Sequence, residues 1–150
     1  MGGAATEQTL VMGLAHVTKY ARACEARPNS EVFDALSEYY DVAARLAAAA
    51  GGRVVKRMGD GVLFAFPDGA VRSAISALEE FRSAANELWR NFDANCGVEI
   101  NVHVGRVAAG DFGQGVDRRF DIVGKAVNEL FMMPWDGLRL SAELQALLEA

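Results

Sequence analysis

The sequence predicts an α+β domain: an antiparallel sheet with a ferredoxin-like core and its helices packed on one face. Three observations carry that reading. Two apolar runs close on Met58-Gly59-Asp60-Gly61, the pattern of a β-hairpin with a carboxylate at its tip. Two long segments repeat apolar residues every three or four positions, as amphipathic helices do. Val98 to Val104 alternates strictly, with Val98, Ile100, Val102 and Val104 on one face and Glu99, Asn101 and His103 on the other. Hairpins mixed with long helices favour an antiparallel sheet layered against helices.

Each element follows in order. Residues 1–8 are expected to be disordered. Thr9 to Val17 is nearly all apolar and reads as a central buried strand. Lys19 to Pro28 is polar and partly helical until Pro28 ends it. Asn29-Ser30 offers a cap for a long helix with the stripe Val32, Phe33, Leu36, Tyr39, Tyr40, Ala43 and Ala47. Gly51-Gly52 ends that helix, and the hairpin 53–66 follows. Asp68 is placed to cap a second helix, striped by Val71, Ile75, Leu78, Phe81, Ala85, Leu88 and Phe92. After the alternating strand, Gly105, Gly110, Gly113 and Gly115 punctuate a strand-and-loop stretch. Phe120 to Val123 is a short strand. Gly124 to Met133 is a helix cut off by Pro134, Leu138 to Leu140 is a last strand, and Ser141 caps a closing helix. The polar face of Glu99, Asn101 and His103 is expected to be solvated or free for a ligand or second subunit.

Composition bounds the function. A chain of 150 residues, 51% hydrophobic, is one domain with a substantial core, 1–150. Its net charge of −5 excludes a global basic footprint for nucleic acid. No apolar run reaches the roughly 18 residues of a membrane span; Ala43 to Ala50 is short and broken by Arg45. The start, MGGAATEQ, has no basic stretch followed by an apolar core, so no secretory signal is read. Cys24 and Cys96 have no CxxC spacing. They read as reduced thiols of a cytoplasmic protein, with pairing the alternative were the chain exported.

Three segments then line up: the apolar strand Leu10 to Val17, the hairpin VVKRMGDGVLFAF, and NVHVGRVAAGDFG followed by RRFDIVGKAVN. In that order and at those spacings they resemble the catalytic domain of class III adenylate and guanylate cyclases, over about Leu10 to Leu148. The resemblance implies a sheet of the nucleotidyl cyclase type. It also implies a reaction in which the ribose 3′ oxygen attacks the α-phosphorus of a nucleoside triphosphate. In that family two aspartates hold two Mg²⁺ or Mn²⁺ ions, which need hard oxygen ligands. Sites form in a head-to-tail homodimer, with metal residues from one subunit and purine residues from the other. A heterodimer with a complementary cyclase chain would serve equally.

Carried over residue by residue, Asp60 matches the hairpin metal aspartate, Lys56 and Asp121 the pair that reads the purine edge, and Asn128 the asparagine that orients the ribose. A lysine donor with a carboxylate acceptor is the adenine-type combination. Without the resemblance, Asp60 is a turn carboxylate, Lys56 a solvated strand residue and Asn128 a helix residue bonding locally.

The departures carry equal weight. His16 stands where the first metal aspartate belongs, and residues 8–24 contain no Asp or Glu. A neutral imidazole suits Zn²⁺ better than Mg²⁺, and a lone strand histidine is more often structural. Met132 stands where the family has its arginine, and it cannot donate to a phosphate. The family's late strand and phosphate-binding lysine are not matched before Ala150. Losing one charge-stabilising donor costs roughly 10²–10³ in rate. The expectation is a degenerate cyclase homology domain acting as a dimeric nucleotide-binding or regulatory module. The alternative is an active adenylate cyclase with an atypical metal site, making cyclic AMP and pyrophosphate from ATP.

Overall fold

In the computed structural model, which describes residues 4–150, the chain runs β1 (Thr6–Thr18), α1 (Tyr20–Glu25), α2 (Asn29–Ala49), β2 (Arg53–Met58), β3 (Gly61–Pro67), α3 (Val71–Phe92), β4 (Gly97–Phe112), β5 (Arg119–Val123), α4 (Lys125–Met132), β6 (Leu138–Leu140) and α5 (Ala142–Glu149). This is the order of elements that the sequence predicts. The sheet runs β2-β3-β1-β4-β5, antiparallel throughout, and β6 adds in parallel to β4 at Ile100 to Val102. Among the described residues no helix is long and apolar enough to cross a membrane.

β1 is covered on both faces. Val11, Ala15 and Val17 join Val62, Phe64, Val98 and Ile100 under α2 and α3. Leu10, Met12 and Leu14 join Leu63, Ala65, Val107 and Ile122 under Ala126, Val127 and Leu130 of α4. A strand buried on both sides needs no polar alternation, which is why this run is apolar. In α3 the fully buried Trp89 joins the predicted stripe, whereas Phe33 of α2 is 72% exposed and lies off the stripe assigned to it.

Glycines set one close approach and one helix end. A Cβ on Gly105 would lie 2.5 Å from the Ala126 Cβ, so this residue lets α4 seat on β4. Gly51, at φ 78°, ends α2, and the Gly52 N–H then returns to the Ala47 carbonyl at 2.8 Å.

Several expectations are corrected. β1 begins at Thr6, so Thr6 to Gln8 pair with Ala109 to Val107 rather than being disordered; Met1 to Gly3 lie outside the described residues. Pro28, not Asn29-Ser30, occupies the cap position of α2, and Asn29 is its first helical residue. Asp68 opens a single 3-10 turn and caps nothing. Ser141 does cap α5, accepting from the Leu144 N–H at 3.2 Å. β4 runs unbroken through Gly105 and Gly110, because those glycines admit neighbours rather than turns. The polar stripe of β4 is not solvated: Asn101 and His103 are buried and Glu99 is half-buried. α4, α5 and the segment joining α4 to β6 lie over it.

Gly105→Ala should therefore push α4 off the sheet. Overpacking of this kind costs about 1–3 kcal/mol. A thermal melt should show a lower Tm with an unchanged far-ultraviolet dichroism spectrum at low temperature.

Candidate functional site

The hairpin tip is built from a tight turn and a borrowed ladder bond. Met58 pairs with Gly61, leaving Gly59-Asp60 as the two-residue loop. Gly59 takes φ 64° at the first central position, where a primed turn needs it. The β1–β3 pairing ends at Ala15 and Val62. Beyond it the Val17 N–H donates to Asp60 Oδ2 at 3.0 Å, so this carboxylate extends the ladder by one bond. The Tyr39 hydroxyl donates to the Asp60 carbonyl at 2.9 Å, and the Tyr40 hydroxyl donates to the Gly59 carbonyl. Burial pushes the Tyr39 phenol well above its ordinary value, and the Asp60 charge pushes it further. Burial likewise raises Tyr20, with Cys24 and Asp60 adding to it. Burial raises Tyr40 too, against the opposing pull of Arg57. All three tyrosines of the chain thus feel the Asp60 carboxylate.

His16 is engaged elsewhere. Its Nε2 lies 3.0 Å from Glu99 Oε1 across the β1–β4 pair. The indole of Trp135 stacks on the imidazole, with centroids 3.9 Å apart and planes at 27°. Glu99 Oε2 also accepts from the Gly137 N–H at 3.3 Å. Among the described residues no group of three His, Cys, Asp or Glu side chains converges to hold a metal ion. One oxygen of Asp60 serves a backbone N–H, and His16 faces a carboxylate of its own. This donor set does not fit a pair of hard divalent cations.

Lys56 and Asp121 are brought together. They lie on the two outer strands of the path β2-β3-β1-β4-β5, yet Lys56 Nζ is 3.2 Å from Asp121 Oδ2. The sheet must therefore curl until its edges approach. The Arg53 guanidinium, 3.8 Å over the Phe120 ring, marks the same closure. A β-bulge sets the register. Val54 pairs with Phe64, Lys56 with Leu63 and Arg57 with Val62, so Val55 is the extra residue. In an unbroken ladder Lys56 would face Val62, in the core beneath α2 and α3. Asp121 Oδ1 accepts from the Ile122 N–H at 2.8 Å, which fixes the carboxylate. With side-chain exposures of 39% and 23%, the pair keeps donors and lone pairs open to solvent.

Asn128 is exposed on α4, and its own N–H is spent on the Gly124 carbonyl. Met132, one turn on, is 82% exposed. A groove of about 590 Å³ opens beside Arg53, Arg106 and Phe120; none of Lys56, Asp60 and Asp121 lines it. Asp121 instead borders a cleft of about 60 Å³ with Gly110, Phe112 and Val123.

The sequence marks Glu99 only as part of a polar strand face, and Tyr39, Tyr40 and Trp135 not as site residues. The Tyr39-Tyr40 doublet held one signal, since a buried phenol needs a hydrogen-bond partner.

No protein-family model and no curated protein sequence matches the chain. Solved structures do. The adenylyl cyclase CyaB from P. aeruginosa superposes with a TM-score of 0.86 at 19% identity, over 97% of this chain and 82% of that one. The guanylate cyclase domain of RhGC from Catenaria anguillulae, in complex with GTP, gives 0.85 at 14% identity, over 97% and 85%. The chain has the fold of the class III nucleotidyl cyclase catalytic domain. A non-canonical dimeric guanylyl cyclase domain of the RhoGC fusion protein from Blastocladiella emersonii shares this cyclase fold, with a TM-score of 0.81 at 14% identity, over 96% and 85%. Adenylyl and guanylyl cyclases match alike, so the cyclase fold alone does not choose the purine.

The tyrosine niche has a pH consequence. Unfolded phenols release protons near pH 10, whereas Tyr20, Tyr39 and Tyr40 in the fold release theirs higher. Stability should be full below about pH 10 and fall as pH rises past it, because the unfolded chain then binds fewer protons. Tyr39→Phe should cost about 0.5–1.5 kcal/mol at neutral pH and make that alkaline decline shallower in urea titrations.

Proposed function

We propose that this chain is a cyclase-fold domain that has lost cyclisation and serves as a dimeric regulatory module that binds a purine nucleoside triphosphate. One contrast carries the reading. The base-reading pair Lys56 and Asp121 is assembled, while the position of the first metal acid is taken by a histidine bonded to Glu99. A Lys donor beside a fixed carboxylate complements a purine edge that offers one acceptor and one donor, as adenine does. Without a pair of aspartates there is no clamp for two Mg²⁺ or Mn²⁺ ions, and Met132 offers phosphate no charge. A nucleotide would be bound through this pair, with Asn128 left facing its ribose.

Dimerisation is part of the proposal. Ligand pockets run about 300–1,000 Å³, and the cleft of about 60 Å³ at Asp121 cannot enclose a nucleotide without a second wall. The RhoGC domain with the same fold is described as dimeric. The second wall is either a head-to-tail copy of this chain or a complementary cyclase chain carrying the missing acid and arginine. The free cysteines Cys24 and Cys96 suit a reducing, cytoplasmic setting.

Purified protein incubated with ATP or GTP and Mg²⁺ or Mn²⁺ should yield no cyclic product. Calorimetry should detect ATP binding, weakened about tenfold, or 1.4 kcal/mol, by Lys56→Met or Asp121→Ala. Turnover that Asp60→Ala abolishes would overturn the loss of catalysis. Absence of ATP binding at millimolar concentration would overturn the nucleotide role.

A further inference from the structure

The segment Met133 to Gly137 joins α4 to β6 and lies along the polar stripe of β4. Its two ends are pinned to the sheet by bonds that do not involve His16. At one end the Asn101 Nδ2 donates to the Met133 carbonyl at 3.1 Å. At the other the Ile100 N–H donates to the Gly137 carbonyl at 2.8 Å, and the Gly137 N–H donates to Glu99 Oε2. Gly137 takes φ 61°, a conformation in which a side chain would be strained. Pro134, two residues past the end of α4 at Met132, cannot extend that helix. Between the pins the Trp135 indole lies flat on the His16 imidazole.

We infer that this strap is the internal occupant of the place from which a divalent cation would be held, with His16 bonded to Glu99 and Trp135 stacked over the imidazole. The inference rests on the reading of His16 as the position of the lost metal acid. It goes further in saying that the loss is not a single substitution. His16, Pro134 and Trp135 act as one device. An imidazole stacked on an indole and bonded through Nε2 to a carboxylate offers no oxygen ligand to hydrated Mg²⁺ or Mn²⁺, which need several around them. Asp60 keeps its carboxylate, with Oδ2 accepting from the Val17 N–H.

The strap predicts a particular failure of the obvious repair. Restoring the acid alone leaves the indole in place, because backbone bonds at Met133 and Gly137 hold the strap. Mn²⁺ binding is read by electron paramagnetic resonance on wild type, H16D, H16D/W135F and H16D/W135G. Wild type, H16D and H16D/W135F should leave the ion free. H16D/W135G should bind it at least about tenfold more tightly than H16D, a difference of about 1.4 kcal/mol. Equal binding by H16D and H16D/W135G overturns the inference, as does failure of H16D/W135G to exceed H16D. A measurement on the unmutated fold guards against variants that do not fold. The imidazole protons of His16 should be shifted upfield by the indole ring current in wild type and return on W135L; their absence from the shifted region in wild type also overturns it. Neither readout depends on turnover, so cyclic product from wild type would sink the proposed function separately from the strap.

Discussion

β1 is bonded on both edges and buried on both faces, and the site residues are placed by where its pairings stop. Its pairing with β4 extends from Thr6 to Thr18, but its pairing with β3 covers only Leu10 to Ala15. The mismatch leaves a backbone donor at Val17 without a strand partner. Asp60 fills it. A buried N–H left unpaired costs as much as a lost hydrogen bond, so the carboxylate at the hairpin tip has a structural task whatever else it does. That task by itself accounts for an aspartate at the hairpin tip.

The opposite edges of the same sheet make the second half of the site. Curling around α4 brings β2 and β5 close enough for Lys56 to reach Asp121. Gly105 leaves room for Ala126, which lets α4 seat on β4. The bulge at Val55 then decides which way Lys56 points. The ion pair thus joins residues 65 positions apart, and one inserted residue sets the register of Lys56 within it. The pair is too exposed for its attraction alone to stabilise the fold appreciably. It sets a donor and an acceptor side by side.

Polar residues on β4 carry the opposite lesson. Glu99, Asn101 and His103 alternate with valines and isoleucine, and alternation alone reads as one wet face. The structure covers that face with its own chain. His103 sits 2.8 Å from Ser141 Oγ and 3.5 Å from Glu129, and Asn101 reaches the Met133 carbonyl. The Asn101 Oδ1 is buried without a protein partner, a place suited to an ordered water. Alternation distinguishes two environments but not which polar side chains a later segment will satisfy.

The features legible along the chain are local or periodic: the order of strands and helices, the hairpin with Asp60 at its tip, the Ser141 cap, and the absence of an acid at residue 16. Each follows from side-chain period, turn chemistry or identity, and none needs a distant partner. Where polar groups are spent is set by long-range packing. Asp60 meets the Val17 N–H, His16 meets Glu99 and Trp135, and Lys56 meets Asp121 because strand register, a bulge and sheet curvature bring them together. Register and curvature are settled by packing across the whole sheet, where one residue of slip reverses every side chain. No short stretch of sequence contains that information.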